Sequence, residues 1–133
     1  MKTKADYIEA NRQLATLKGW TNIKAIIGCS GLPQALIGSP PWKSPNSRQE
    51  ARVPDWCGDW DACGKLLGEY LIGIWPWPSM AVASAHCDSG VYEAPAAGAD
   101  YYEHEHRDAA LRYAIVLAAI KAAQALDNQG ESK

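Results

Sequence analysis

The chain has 133 residues and a formal net charge of −2, which leaves room for one compact domain. With 47% hydrophobic and 21% charged residues, the composition is that of a globular protein and excludes a disordered or collagen-like chain. Thirteen basic residues against fifteen acidic ones leave no surplus of positive charge, so we do not expect nucleic acid as a partner.

A first helix is predicted over residues 4–18, because its apolar residues recur at helical spacing. The predicted inner face consists of Tyr7, Ile8, Asn11, Leu14, Ala15 and Leu17. Gly19 follows the helix and favours a left-handed C-terminal cap, with Trp20 folding back as the hydrophobic contact beyond it. Residues 21–27 form a short apolar run, which is typical either of a strand or of an anchoring segment.

The next stretch, residues 28–54, contains five prolines and three glycines. So many breakers predict an irregular segment rather than a strand or a long helix. Irregular segments of this length are uncommon in compact domains, and they are typically functional, mobile or held by their own apolar residues. Leu36, Ile37 and Trp42 indicate that part of this segment packs against the domain.

A second helix is predicted over residues 59–70, with Asp59 as its N-cap and Asp61 near the positive end of the helix dipole. After it, residues 71–77 and 80–87 are predicted as strands. The small apolar residues of the second strand favour burial on both of its faces. Residues 91–94 are predicted to begin a third strand, joined to the second by a hairpin.

The last helix is predicted over residues 108–126, which are rich in strong helix formers and apolar all round in their middle. A helix with this pattern is buried on more than one side. We expect residues 128–133 to fray. The predicted order is helix, irregular segment, helix, two or three antiparallel strands, helix. This order favours a single α+β domain over residues 1–133, with a small antiparallel sheet layered between helices as an α-β-α sandwich.

The four cysteines and the N-terminal residues indicate a cytosolic protein. No CxxC pair occurs among the cysteines, which are Cys29, Cys57, Cys63 and Cys87. The charged residues 1–7 lack the apolar segment that a signal peptide requires, and no run of eighteen apolar residues predicts a membrane span. We therefore expect free, mostly buried thiols in the cytosol of the cell that makes the protein.

Four segments occur together along the chain. They are Gly19-Trp20, Val53-Pro54-Asp55-Trp56, Asp59-Trp60-Asp61-Ala62, and the apolar stretch from Ala114 to Ala122. In this order they resemble the phage ABA sandwich family, small proteins of phages and prophages with an α-β-α layered fold and no assigned catalytic activity. The resemblance covers about residues 5–126. It departs at the last helix, which in that family often opens with Thr-Pro and here contains Ala110-Leu111. The resemblance implies a phage- or prophage-encoded accessory protein that acts on host processes or host defence.

The aromatic residues are unusual, because tryptophan and tyrosine occur six times each and phenylalanine is absent. Five tryptophans fall between the proline-rich segment and the start of the predicted sheet. They are Trp42, Trp56, Trp60, Trp75 and Trp77. Indoles at such a boundary either plug the core or form a stacking platform or a protein-interface hot spot. We take these five as candidate ligand- or partner-binding residues, with the irregular segment and residues 75–78 as the contact surface.

A second candidate cluster contains His86, Cys87, His104 and His106. If residues 101–108 are extended, His104 and His106 share a face and could ligate a metal together with the other two. If those residues are helical, this chelate fails. A thiol paired with histidine, for instance Cys87 or Cys63 with His104 or His86, is the corresponding catalytic alternative. Because the usual metal-ligand spacings are absent, we expect no bound cofactor.

These patterns together favour non-catalytic binding of a host protein or a small molecule, in a phage or prophage setting that includes counter-defence. Two alternatives stay open. One is a metal-dependent or thiol enzyme centred on the histidine and cysteine cluster. The other is a structural homodimer in which the alanine-rich last helix packs against its twin.

Overall fold

The computed structural model describes residues 2–42, 49–76, 80–85 and 96–131. Within these ranges the helices are α1 (Lys4–Leu17), α2 (Trp60–Glu69) and α3 (Arg107–Glu131), and a 3₁₀ turn at Tyr101–Glu103 precedes α3. The strands are β1 (Thr21–Ile27), β2 (Pro33–Ser39), β3 (Ala51–Arg52), β4 (Ile72–Pro76), β5 (Met80–Ala85) and β6 (Ala96–Asp100). The mixture of helices with antiparallel sheets confirms the predicted α+β class.

The end of α1 follows the predicted capping. Gly19 adopts a positive φ of 98°, which glycine reaches without a steric penalty. The Trp20 N–H donates to the Ala15 carbonyl at 3.0 Å, and the Gly19 N–H donates to the Thr16 carbonyl at 3.1 Å. These two hydrogen bonds form a Schellman motif, and they turn the Trp20 indole back into the core, where it is 4% exposed.

The first sheet has the strand order β1-β2-β3 and is antiparallel throughout. The prediction of irregular structure over residues 28–54 is therefore wrong at residues 33–39 and 51–52. The prolines do not break β2, because Pro33 lies at its first residue while Pro40 and Pro41 follow its last. A proline at the start of a strand requires no ladder hydrogen bond from its nitrogen.

The second sheet has the order β4-β5-β6. The predicted strands at 71–77 and 80–87 are confirmed over residues 72–76 and 80–85, as β4 and β5, which pair in register from Ile72 with Ala85 to Pro76 with Ala81. Residues 77, 86 and 87 lie outside the described residues. The third strand is β6, whereas the predicted strand at 91–94 lies outside the described residues. Four buried alanines of β5 and β6 line the sheet. They are Ala81, Ala83, Ala97 and Ala99.

The helix α3 is central to the core and packs against α1, α2 and every strand of the second sheet. Its buried residues include Ala114, Ile115, Val116, Ala118 and Ala119. Small side chains on α3 and on the sheet let the backbones approach closely. The first sheet packs mainly on α1, so the helices α1 and α3 lie between two sheets. This layering differs in detail from the predicted single sheet between helices.

The predicted last helix is confirmed, although it begins at Arg107 and continues to Glu131. Within the described residues, one window of it, Arg107–Leu126, is long and apolar enough to cross a membrane. Of this window 56% is buried inside the fold, and core helices of soluble proteins reach the same length and composition.

Candidate functional site

A cavity of about 420 Å³ lies between α1, β2 and the segment after β3. The α1 wall carries Lys4, Tyr7, Ile8 and Asn11, at positions i, i+3, i+4 and i+7 of one helix face. Lys4 is exposed, Tyr7 is half-buried, and Ile8 and Asn11 are buried. This wall is therefore apolar at its centre, with one polar group at each end.

The opposite walls come from β2 and from residues 52–58 of the following segment. They consist of Gln34, Ala35, Leu36, Arg52, Val53, Pro54, Asp55 and Gly58. Leu36 and Val53 are buried, and the Val53 N–H donates to the Leu36 carbonyl at 2.9 Å. On the exposed side, Lys4 Nζ donates to Gln34 Oε1 at 3.1 Å and so links α1 to β2. The cavity thus combines apolar walls with a few polar groups.

Asn11 joins α1 to the turn that begins at Asp55. Its Nδ2 donates to Asp55 Oδ1 at 2.9 Å, and its Oδ1 accepts from the Cys57 N–H at 3.1 Å. Asp55 Oδ1 also accepts from the Gly58 N–H at 3.1 Å, and the Asp55 carbonyl accepts from the Asp59 N–H at 2.8 Å. The bond between Asn11 and Cys57 is buried and the bond between Asn11 and Asp55 is partly buried, and together they fix the Asp55 carboxylate at the cavity wall.

Gly58 leaves room for the Asp55 carboxylate in this turn. A Cβ atom at position 58 would lie 2.2 Å from Asp55 Oδ2 and 2.8 Å from its Cγ. Both distances are far below a van der Waals contact, so any side chain here displaces the carboxylate. Glycine at this position therefore allows the hydrogen bond between Asp55 and Asn11.

Tyr7 connects the cavity to a buried histidine. Its hydroxyl oxygen lies 2.6 Å from His104 Nδ1, and the two rings stack with centroids 5.7 Å apart. Tyr113 of α3 packs against both rings, at centroid distances of 5.6 Å from Tyr7 and 5.2 Å from His104. This aromatic cluster of Tyr7, His104 and Tyr113 ties the cavity wall on α1 to the central helix.

Burial sets the protonation of this aromatic cluster. His104 is 4% exposed, and its Nε2 has no hydrogen-bond partner among the described residues. Burial lowers the pKa of His104 below its ordinary value, so the imidazole is neutral at neutral pH. Burial also raises the pKa of the Tyr7 phenol, which therefore stays protonated.

The predicted metal cluster is not assembled by the residues that the structure describes. His104 is in the core and bonded to Tyr7, whereas the His106 side chain is 75% exposed. His86 and Cys87 lie outside the described residues. Across the described ranges no group of three His, Cys, Asp or Glu side chains is placed to hold a metal ion. The side chains of His104 and His106 therefore do not lie on one face, which the predicted chelate requires.

The described thiols lack the properties of a nucleophile. Cys57 and Cys63 are buried, and burial raises the pKa of Cys63 to about 12 and that of Cys57 further. The Cys63 thiol donates to the Arg112 carbonyl at 3.8 Å, and His104 bonds to Tyr7, so these two side chains do not form the predicted pair. Cys29 is exposed on the turn between β1 and β2.

Two of the predicted tryptophans have distinct environments at the start of α2. Trp56 is 4% exposed and belongs to the core, which makes it a packing residue rather than a contact residue. Trp60 is 41% exposed, and the Arg112 guanidinium lies over its ring at 5.4 Å. Arg112 Nε also donates to the Cys57 carbonyl at 2.8 Å, so Trp60 covers a structural arginine.

The remaining predicted tryptophans divide between the surface and the second sheet. Trp42 is 71% exposed and packs edge to face against the buried Trp20, with ring centroids 5.5 Å apart. Trp75 lies on β4, where it pairs with Val82. Trp77 lies outside the described residues. Of the predicted tryptophans whose side chains the structure describes, Trp42, Trp56 and Trp60, none lines the cavity.

The residues that line the cavity differ from the predicted site residues. One signal in the sequence points to them, which is Asn11 on the inner face of the first helix. A buried amide needs hydrogen-bond partners, and the side chain of Asn11 finds none within α1. Asp55 and Cys57 supply them, and they lie 44 and 46 residues away. Sequence spacing alone does not identify partners at that separation.

Comparisons of the chain with models of known protein families, with curated proteins and with solved structures find no match. We therefore infer the function from the geometry of the cavity.

Proposed function

We propose that the chain binds a small molecule in the cavity between α1 and the first sheet and acts without catalysing a reaction. The observation that carries this proposal is a cavity of about 420 Å³ with apolar walls and a few fixed polar groups. Small-molecule sites in proteins have this size and this composition. Asn11 and Asp55 supply the fixed groups, because their mutual hydrogen bond is set by the fold before a ligand arrives.

Binding is favoured over catalysis by the side chains on the cavity walls. The described walls contain neither an imidazole nor a thiol. The tyrosine on the wall is held protonated, because burial raises the pKa of Tyr7. The Asp55 carboxylate on the wall already accepts hydrogen bonds from Asn11 and Gly58, so the wall groups are better suited to orienting a ligand than to attacking one.

The biological setting of this proposal comes from the resemblance to the phage ABA sandwich family. We place the protein in the cytosol of a host cell, as an accessory protein of a phage or prophage. A small-molecule binder in that setting can sequester a host signal, including one used in defence.

The proposal is tested by nuclear magnetic resonance, for which a chain of 14.4 kDa is well suited. A mixture of fragment-sized compounds, combined with small molecules extracted from the host, is added to the ¹⁵N-labelled protein. Binding in the cavity shifts the amide signals of Asn11, Leu36 and Gly58, while those of the distant Lys121 on α3 stay in place. Shifts confined to other regions, or no shifts with any compound, contradict the proposal.

A second candidate function is contact with a host protein through Trp42. The observation that favours it is an indole that is 71% exposed yet held in place by the buried Trp20. Rigid exposed tryptophans are typical anchors of protein interfaces. Trp42→Ala should abolish binding to a host partner identified by crosslinking while the unfolding midpoint stays unchanged. A partner that binds the variant equally well excludes this function.

A further inference from the structure

Two cationic side chains lie at the cavity. Lys4 comes from the first turn of α1, and Arg52 comes from β3. Lys4 Nζ donates to the Gln34 amide oxygen, which is a neutral partner. Within the described part of the chain, neither cation has a carboxylate at ion-pair distance, and the Arg52 side chain has no hydrogen bond.

Other cations on α1 and the first sheet are paired. Arg12, on the same helix as Lys4, lies 3.3 Å from a Glu9 carboxylate oxygen. Lys24, on β1, lies 3.2 Å from a Glu50 carboxylate oxygen. Among the described cations of α1 and the first sheet, the unpaired ones are therefore those at the cavity.

The cavity also has one carboxylate, but the fold already uses it. Asp55 Oδ1 accepts hydrogen bonds from the Asn11 amide and from the Gly58 N–H. With two cations and one carboxylate on its walls, the cavity has one positive charge in excess. The chain as a whole has a net charge of −2, so this positive charge is local. A local field of this sign attracts an anion.

The apolar walls determine the rest of the ligand. Ile8, Leu36 and Val53 are buried and line the cavity behind the exposed Lys4 and Arg52. A ligand that fills this space needs an apolar body, because a polar body would leave its groups without hydrogen bonds. Arginine binds planar oxyanions through two parallel hydrogen bonds, and lysine adds a point charge.

On the basis of the proposed function, we propose that the ligand is an amphiphile with one oxyanion head group. The head group, a carboxylate or a phosphate monoester, binds Lys4 and Arg52. The apolar body lies against Ile8, Leu36 and Val53. The Asp55 carboxylate, held by Asn11, disfavours a second negative charge on the body and so restricts the ligand to one anionic end.

The test compares probes that share a body and differ in charge. Butanoate, hexanoate and octanoate are titrated into the labelled protein beside the corresponding neutral amides, with hexyl phosphate as a further arm. At least one carboxylate or the phosphate should bind about tenfold more tightly than the matched amide, which is the size expected for two partly exposed charge-assisted contacts. The tighter of hexanoate and hexyl phosphate identifies the head group.

Substitutions assign the preference to the two cations. Arg52→Gln and Lys4→Gln should each remove much of the preference for the anion, and both side chains are exposed, so the fold should tolerate the changes. Lys65→Gln removes the same charge from an exposed position of α2 and serves as the control. For the unmodified chain, added salt should weaken binding of the anion and leave the amide unaffected. This salt dependence tests the inference even if a variant does not fold.

The outcomes separate this inference from the proposed function. Equal affinity of amide and anion, with shifts at the cavity amides, overturns the inference and leaves small-molecule binding in place. An anion preference that survives in both cavity variants also overturns it. If neither the probes nor the fragment mixture shift the cavity amides, small-molecule binding itself is wrong.

Discussion

Replacing Asn11 by alanine tests whether the cavity turn is held as the structure indicates. The substitution removes a hydrogen bond to the charged Asp55 and leaves the N–H of the buried Cys57 without an acceptor. A hydrogen bond to a charged group contributes about 1.5 to 3 kcal/mol, and an unsatisfied buried donor costs about 1 to 3 kcal/mol. Alanine recovers roughly 0.5 kcal/mol through its higher helix propensity. We therefore expect Asn11→Ala to lower the free energy of unfolding by about 2 to 5 kcal/mol.

The assay is urea unfolding followed by tryptophan fluorescence, in which the buried Trp56 reports on the region next to the turn. Gln13→Ala is the control, because Gln13 lies on the same helix and is exposed. The control should change the unfolding free energy by less than about 0.5 kcal/mol. A loss below about 1 kcal/mol in Asn11→Ala would refute the reasoning, because it would show that water reaches the Cys57 N–H.

A double-mutant cycle assigns the effect to the pair. Asp55→Ala is measured alone and together with Asn11→Ala. The coupling energy should be about 1 kcal/mol or more, since each side chain loses the other as a partner. Asn11→Asp keeps an acceptor for Cys57 but places a second carboxylate beside Asp55. The loss of unfolding free energy in Asn11→Asp should become smaller as the pH falls. Two neighbouring carboxylates raise the pKa of one of them, and once that carboxyl is protonated it can donate a hydrogen bond to the other.

Three further predictions concern the rest of the fold. Gly19→Ala should lower the unfolding free energy measured in urea by about 1 to 2 kcal/mol, because φ at Gly19 is +98°. Gly64→Ala is the contrasting control: it lies inside α2 with open space around it, and it should raise the unfolding free energy by roughly 0.5 to 1 kcal/mol. Burial lowers the pKa of His104 from its ordinary value of 6.5, so only the unfolded chain takes up this proton just below that pH. Stability should be complete above pH 6.5 and fall as the pH drops below it, and His104→Gln should reduce this slope in pH-dependent urea unfolding. Iodoacetamide labelling with peptide mapping should modify the exposed Cys29 in the native protein and modify Cys63 only in denaturant, because burial raises the Cys63 pKa to about 12.

Local signals predicted the elements that depend on local physics. The capping of α1 at Gly19, the N-cap of α2 at Asp59 and the alanine-rich α3 all follow from neighbouring residues, and the structure confirms each of them. The Asp59 side chain accepts from the Asp61 N–H at 3.1 Å, as an N-cap does. Such interactions span a few residues and are therefore visible in a sequence.

In the first sheet, the apolar run at residues 21–27, for which a strand was one of two predicted alternatives, is β1. The strands β2 and β3 differ from the prediction, because the position of a proline matters more to a strand than the number of prolines nearby. Pro33 begins β2, and the later prolines lie beyond its end, where no ladder hydrogen bond is lost. The strand β3 is only two residues long, so periodicity has nothing to detect there. Both strands are defined by pairing partners, and pairing is a tertiary interaction.

The cavity was not predicted for a related reason. Its walls meet only when α1, β2 and the segment after β3 pack together. Large aromatic rings dominate many binding sites, but here Trp56 is buried in the core and the Trp60 ring packs against Arg112. The groups that line the cavity are short or common side chains, such as Asn11 and Gln34, and their role comes from position alone.

At position 7, next to the cavity, tyrosine has a structural role that phenylalanine could not fill. Tyr7 both lines the cavity and reaches Nδ1 of the buried His104 at 2.6 Å. A phenylalanine at position 7 would leave both imidazole nitrogens without a partner among the described residues, because Nε2 has none already. The tyrosine hydroxyl therefore stabilises a buried polar group while its ring serves the apolar wall. Since His104 and Tyr7 also pack on Tyr113 of α3, the wall is fixed to the central helix. A wall held in this way has little conformational freedom to lose on binding, which favours affinity in a cavity of modest size.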